Sequence, residues 1–169
     1  MGPADALNNL GVLAFNAGDL DRAGRFFDEA LRIARSRRDR RSEAFVLRNV
    51  GELELERGHI DEARRELATS LRLAQQLRYL EIAASDLMLL AAVAATHHEP
   101  ELAAHLVGGA ERLNEEISGG DDVLEDEVRT RTVAMIQREI PPDLYTDAVQ
   151  HGYGQGVDAV IEYALVRLG

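Results

Sequence analysis

Apolar positions recur at helical spacing in paired blocks along this chain. Leu7, Leu10 and Ala14 share one face of a first block, and Ala23, Phe27, Ala30 and Ala34 share one face of a second. A recurrence every three to four residues is the mark of a helix that buries one side. Short polar turns separate the blocks: "AGDL", "RGHI" and "HHEP". Gly18 and Gly58 suit a helix stop that needs positive φ, Asp19 suits a cap on the following helix, and Pro100 suits a first helical turn. Each pair of blocks therefore predicts a helical hairpin.

The hairpin returns at a fixed step. Gly11, Gly18, Ala23 and Leu31 meet Gly51, Gly58, Ala63 and Leu71 when the chain is advanced by 40 residues, with no gap. A further step lands on Ala91, His98, Ala103 and Glu111 within "LAAVAATHHEPELAAHLVGGAERL", where the alanines persist and the glycines do not. A degraded last copy is expected where a stack ends, because a terminal unit faces different neighbours. Small residues at Gly11, Gly51, Ala91, Ala23, Ala63 and Ala103 mark sites of close helix approach. One hairpin cannot bury both its faces, so the three must stack.

The pattern changes after the third hairpin. "ISGGDDV" interrupts it at Gly119 and Gly120, and Asp121 and Asp122 are able to open a new helix. Val128, Val133, Ile136 and Ile140 predict a helix ending before Pro141, and Pro141-Pro142 open another over "PPDLYTDAVQHG". Val157, Val160, Ile161, Ala164, Leu165 and Leu168 then keep strict helical spacing, which predicts a buried face that caps the open end of the stack. The expected division is 1–118 for three hairpins and 119–169 for the helical cap.

Composition narrows the function. The chain has 169 residues, of which 46% are hydrophobic, enough to bury a core. It has no Cys, which excludes disulfides, thiolate metal sites and a Cys nucleophile and fits a reducing cytoplasm. A formal charge of −11 repels phosphate backbones, so neither nucleic acid nor an anionic membrane is an expected partner. "RSRRDRR", from Arg35 to Arg41, is a local exception where one predicted helix ends and the next begins. Cations there complement the helix dipole.

"LGVLAFNAGDLDRAGRFFDEAL" and "VGELELERGHIDEARRELATSL" resemble the tetratricopeptide repeat in a longer version of about forty residues. The resemblance runs from about Asp5 to Ile117 and implies an all-α fold: a right-handed superhelix of three hairpins with about three further C-terminal capping helices. "LVGGAERL", Tyr145, Gly152 and the stretch from Val157 to Leu165 are similar to the C-terminus of large bacterial regulators of the STAND ATPase class, including LuxR-type members. Val149 stands where that family usually has Trp, and Gly156 where it has a Ser or Thr cap. The resemblance implies a fragment or stand-alone relative of a transcriptional regulator, and a chain that opens directly on the first helix of a repeat fits a fragment.

In tetratricopeptide superhelices the first helix of each hairpin lines the inner face. The resemblance places Asn8, Asn9, Val12, Phe15 and Asn16 there from the first unit, Phe45, Arg48, Asn49, Glu52, Leu55 and Glu56 from the second, and Ser85, Met88, Leu89 and Ala92 from the third. Asn9 and Asn49 are equivalent and stand where peptide-binding relatives carry an Asn clamp on the ligand main chain; an amide both donates and accepts. Capping backbone groups, or facing water, is the other reading of these amides. Arg48 has Glu52 and Glu56 one and two turns on as internal partners.

Catalytic chemistry finds little support. Glu101 and His105 share a helix face, but with His97 and His98 they form no metal motif, and all three histidines read as ordinary surface residues. No G-x-x-x-x-G-K-[ST] string and no nucleophile elbow occur. The expected protein is a cytoplasmic binding module with no enzyme activity and no cofactor or metal. Its partner is a protein or peptide segment, a small effector, or the sister ATPase domain of the same polypeptide. A stand-alone assembly adaptor and, behind it, a cryptic metalloenzyme around His97 to His105 are the alternatives, and self-association stays open.

Overall fold

The computed structural model describes residues 2–118 and 127–168. Every regular element among them is an α-helix: α1 (Pro3–Asn16), α2 (Leu20–Ser36), α3 (Arg40–Glu56), α4 (Ile60–Leu77), α5 (Leu80–Thr96), α6 (Pro100–Ser118), α7 (Glu127–Glu139), α8 (Pro142–Gly154) and α9 (Val157–Leu168). The helix start expected at Asp121-Asp122, and the break at Gly119-Gly120, lie outside the described residues.

One turn geometry joins the first six helices. Gly18, Arg38, Gly58, Arg78 and His98 all have positive φ, at 77°, 55°, 79°, 58° and 59°. After each of them an N–H reaches back over the helix end, from Asp19 to the Ala14 carbonyl, Asp39 to Ala34, His59 to Glu54, Tyr79 to Ala74 and Glu99 to Ala94, at 2.8–2.9 Å. This left-handed closure satisfies carbonyls that the helix leaves open. It recurs every 20 residues, so each helix is nearly the same length and neighbours run antiparallel. Asp19 and Asp39 cap the next helix by accepting from the N–H groups of Arg22 and Ser42.

The helices stack in chain order, α1 on α2 through α5 on α6. Phe27 rests over Gly11 and Leu67 over Gly51, where a Cβ would collide with either ring or branch. The expected small-residue crossings are therefore real contacts. Ala91 and Ala103 are fully buried in the third hairpin. The main core centres on α5, every residue of which from Ile82 to Ala95 is buried except Ser85. A helix apolar on all sides is an interior helix.

The last helices close the stack on different sides. α7 packs on α5 and α6, α8 on α6, and α9 against α4, α5 and α6. Ile136 and Thr132 are buried on α7, and Val160, Ile161, Ala164 and Leu168 on α9. α8 meets α6 backbone to backbone: a Cβ on Gly152 would stand 2.8 Å from the His105 carbonyl carbon, and one on Gly108 2.8 Å from that of Val149. Arg78 donates to both carboxylate oxygens of Asp158 at 3.1 Å, tying the α4 end to α9.

Candidate partner-binding site

The first helices α1 and α3 bound a groove of about 460 Å³, lined by Asp5, Asn8, Asn9, Asp39, Arg41, Ser42, Phe45 and Val46. Its polar wall is tied together. The Ser42 hydroxyl lies 2.8 Å from a carboxylate oxygen of Asp5 and 2.8 Å from one of Asp39, bridging the start of α1 to the start of α3. The Gly2 N–H donates to Asp5 at 2.7 Å and, together with Ser42, holds the Asp5 carboxyl below its usual pKa. The apolar wall is Phe45, whose ring centroid is 6.2 Å from that of Tyr79. The Arg41 guanidinium sits over both rings, 5.8 and 5.3 Å from their centroids.

A chain of polar side chains runs on from Asn8 of the groove. Asn49 Nδ2 donates to Asn8 Oδ1 at 2.6 Å, and Arg48 donates to Asn49 Oδ1, to Ser85 Oγ at 3.3 Å and to Glu52 at 3.5 Å. Arg48 is thus engaged within the fold, with Glu52 as its ion partner, while Glu56 turns to Arg131 of α7 at 3.4 Å. The equivalence of Asn9 and Asn49 does not extend to their surroundings: Asn49 is buried with both ends of its amide occupied, and Asn9 is exposed.

The remaining expected face residues separate into two groups. Val12 and Phe15 are half-buried against the α1–α2 cluster, Leu55 is half-buried against the main core, and Asn16 is exposed. Met88, Leu89 and Ala92 are interior residues, 5%, 3% and 5% exposed, and are not open to a ligand in this structure. α7 and α9 pack on α5 and help to close it.

Asp86, beside Ser85, was not singled out by the sequence pattern. It is fully buried and neither carboxylate oxygen has a hydrogen-bond partner. Burial pushes its pKa well above the carboxylate range, against a smaller downward pull from the Ser70 hydroxyl and the Arg48 charge. Ser70 itself donates to the Ala44 carbonyl at 3.0 Å. A sequence signal existed: Asp86 is the acid in a run of apolar residues, at the register position of Ala6 and Val46.

The histidines need one correction. His97 and His98 are exposed, but His105 is 4% exposed, enclosed by α8 and α9. Its ring lies 4.3 Å from that of Tyr163 and 5.0 Å from that of His151, with Nε2 3.2 Å from the Gln155 amide oxygen. Burial lowers its pKa, the Gln155 hydrogen bond opposes this, and His151 adds to it. Among the described residues no group of three or more His, Asp or Glu is placed to hold a metal, and no helix is long and apolar enough to cross a membrane.

Stacked antiparallel hairpins with a repeated left-handed closure define an all-α, tetratricopeptide-like helical-repeat fold. The tetratricopeptide repeat family model matches residues 3–76, which span the first two hairpins. That match supports a protein-interaction module, the general use of such scaffolds. No curated protein and no solved structure matches the chain.

Proposed function

We propose that this chain grips a peptide segment of another protein, or of a sister ATPase domain, along the face of α1 and α3, as the sensor and interaction region of a bacterial signal-transduction ATPase that regulates transcription. The groove between α1 and α3 carries the reading. It presents an unengaged amide at Asn9 and an aromatic wall at Phe45 beside the cation of Arg41. Such a surface fits an extended or helical peptide, with main-chain groups on the amide and an apolar side chain on the ring. The Asn49–Arg48 pair braces Asn8 at the groove, which lowers the ordering cost of binding. The placement in a regulator rests on the similarity of "LVGGAERL" and the final helix to the ends of such proteins.

Peptides selected from a random library on the full chain test the groove. Asn9→Ala and Phe45→Ala should each weaken selected peptides about tenfold, the effect of losing roughly 1.4 kcal/mol. Unchanged affinity in both variants would remove the groove from consideration. The size of the native gene product, read with an antibody raised against this domain, tests the regulator reading separately. A product near 18.6 kDa would favour a self-contained adaptor.

A further inference from the structure

The register of 40 residues allows equivalent positions to be compared across the three first helices. Leu13, Leu53 and Val93 are equivalent, yet they are 66%, 1% and 0% exposed. Leu10 is 45% exposed where Val50 is half-buried and Leu90 is 0% exposed. Ala6 is exposed where Val46 is 1% exposed. One stripe of the first helix is therefore open in α1 and closed in α3 and α5.

What closes it in the other two is on view. Val46 and Leu53 of α3 join the cluster of Phe27 and Ala30, with Leu20 and Leu31 packed against it, so the second helix of the preceding hairpin is the lid. Arg57, at the end of α3, fastens this joint by donating to the Leu20 carbonyl at 2.9 Å and pairing with Asp21 at 3.5 Å. α4 covers α5 in the same order. A second copy of the chain, stacked head to tail, lacks the matching lid. Its last second helix, α6, is already covered by α7, α8 and α9.

We propose that the Leu10–Leu13 face of α1 is an inter-hairpin joint whose occupant is the second helix of a further hairpin of the same 40-residue pattern. That helix carries apolar residues at the positions of Leu20, Phe27, Leu31 and Ala34, which α4 repeats as Ile60, Leu67, Leu71 and Ala74. It runs antiparallel to α1, as α2 does to α3. The partner thereby extends the stack, and its own first helix continues the face formed by α1 and α3. This inference is independent of any ligand in the groove.

The test compares Leu13→Glu in two backgrounds: the 169-residue chain, and the same chain with a copy of residues 41–80 joined ahead of it in register. In the shorter chain Leu13 is largely in water, and the unfolding equilibrium constant should move less than about twofold. In the extended chain the docked helix should bury it, and the same substitution should raise that constant roughly tenfold or more. Equal small effects in both backgrounds would overturn the proposal. Sedimentation equilibrium of the 169-residue chain checks the competing occupant. A monomer is expected, and a dimer abolished by Leu13→Glu would assign the face to self-association instead.

Discussion

Replacing Gly152 by Ala adds one methyl group where α8 crosses α6. Its Cβ would lie 2.8 Å from the His105 carbonyl carbon and closer still to the oxygen, with the Gly109 nitrogen at 3.2 Å. Carbon atoms prefer about 3.5–4.0 Å, so the helices must separate by roughly 1 Å. Both obstructing groups are backbone, so no side-chain rotation relieves the clash. A gap of that size forfeits a quarter to a half of the dispersion between facing atoms, and overpacking of this kind costs about 1–3 kcal/mol or more. Alanine returns about 1 kcal/mol through helix propensity. With backbone as the obstacle the upper end applies, so the expected net loss is about 2 kcal/mol, measured by urea unfolding followed by circular dichroism, with faster amide exchange along α8. Gly154→Ala is the control, because nothing lies within 4 Å of its Cβ. Gly51→Ala should fall between the two, since the 2.5 Å obstacle there is the Leu67 side chain, which is able to shift. Gly152→Ala within 0.5 kcal/mol of the parent, a bound set by ordinary surface substitutions, would refute the backbone-contact reasoning.

Two further outcomes follow from the turns and the buried acid. Gly18→Ala and Gly58→Ala meet no obstacle within 4 Å, so each should cost only the left-handed strain of about 1–2 kcal/mol, less about 0.4–1 kcal/mol recovered from the unfolded chain, in thermal or urea unfolding. Asp86 has a folded pKa raised by burial, so its contribution is fully present below the unfolded value of about 3.9 and is lost as pH rises through the raised folded value. Asp86→Asn should therefore be the more stable protein near pH 7–8, with the advantage shrinking toward pH 4. An advantage independent of pH would show that ionisation is not its source.

The sequence made the hairpins legible because their signals are local. Helical spacing, a Gly stop and an Asp cap fall within a few residues of one another, and 40-residue periodicity repeats them. The left-handed geometry of three of the five turns was hidden, because Arg38, Arg78 and His98 carry side chains that do not advertise positive φ. The α6–α8 crossing was hidden for a different reason. Gly108 and Gly152 are 44 residues apart and mean nothing until two helices are docked. The same distance effect buried His105, which looks like a surface residue until α8 and α9 arrive. On the candidate face, Met88, Leu89 and Ala92 sit within the apolar run from Leu87 to Ala95, a pattern better suited to an interior helix than to a groove. Phe45 and Asn9 needed only the register of the repeat.

The evenly spaced turns also give the molecule an electrical direction. Antiparallel helices send Gly18, Gly58 and His98 to one edge of the stack and Arg38 and Arg78 to the other. The first edge carries Asp19, Asp21, Asp61, Glu62, Glu99 and Glu101 against Arg22 and Arg57, and the second Arg37, Arg38, Arg40, Arg41 and Arg78 against Asp39 and Glu81. A chain of net charge −11 is thus also a dipole lying across the stack, parallel to its helix axes. In the field of a charged partner it turns before it touches, presenting one edge first, and added salt with its Debye length of about 8–10 Å blunts that alignment.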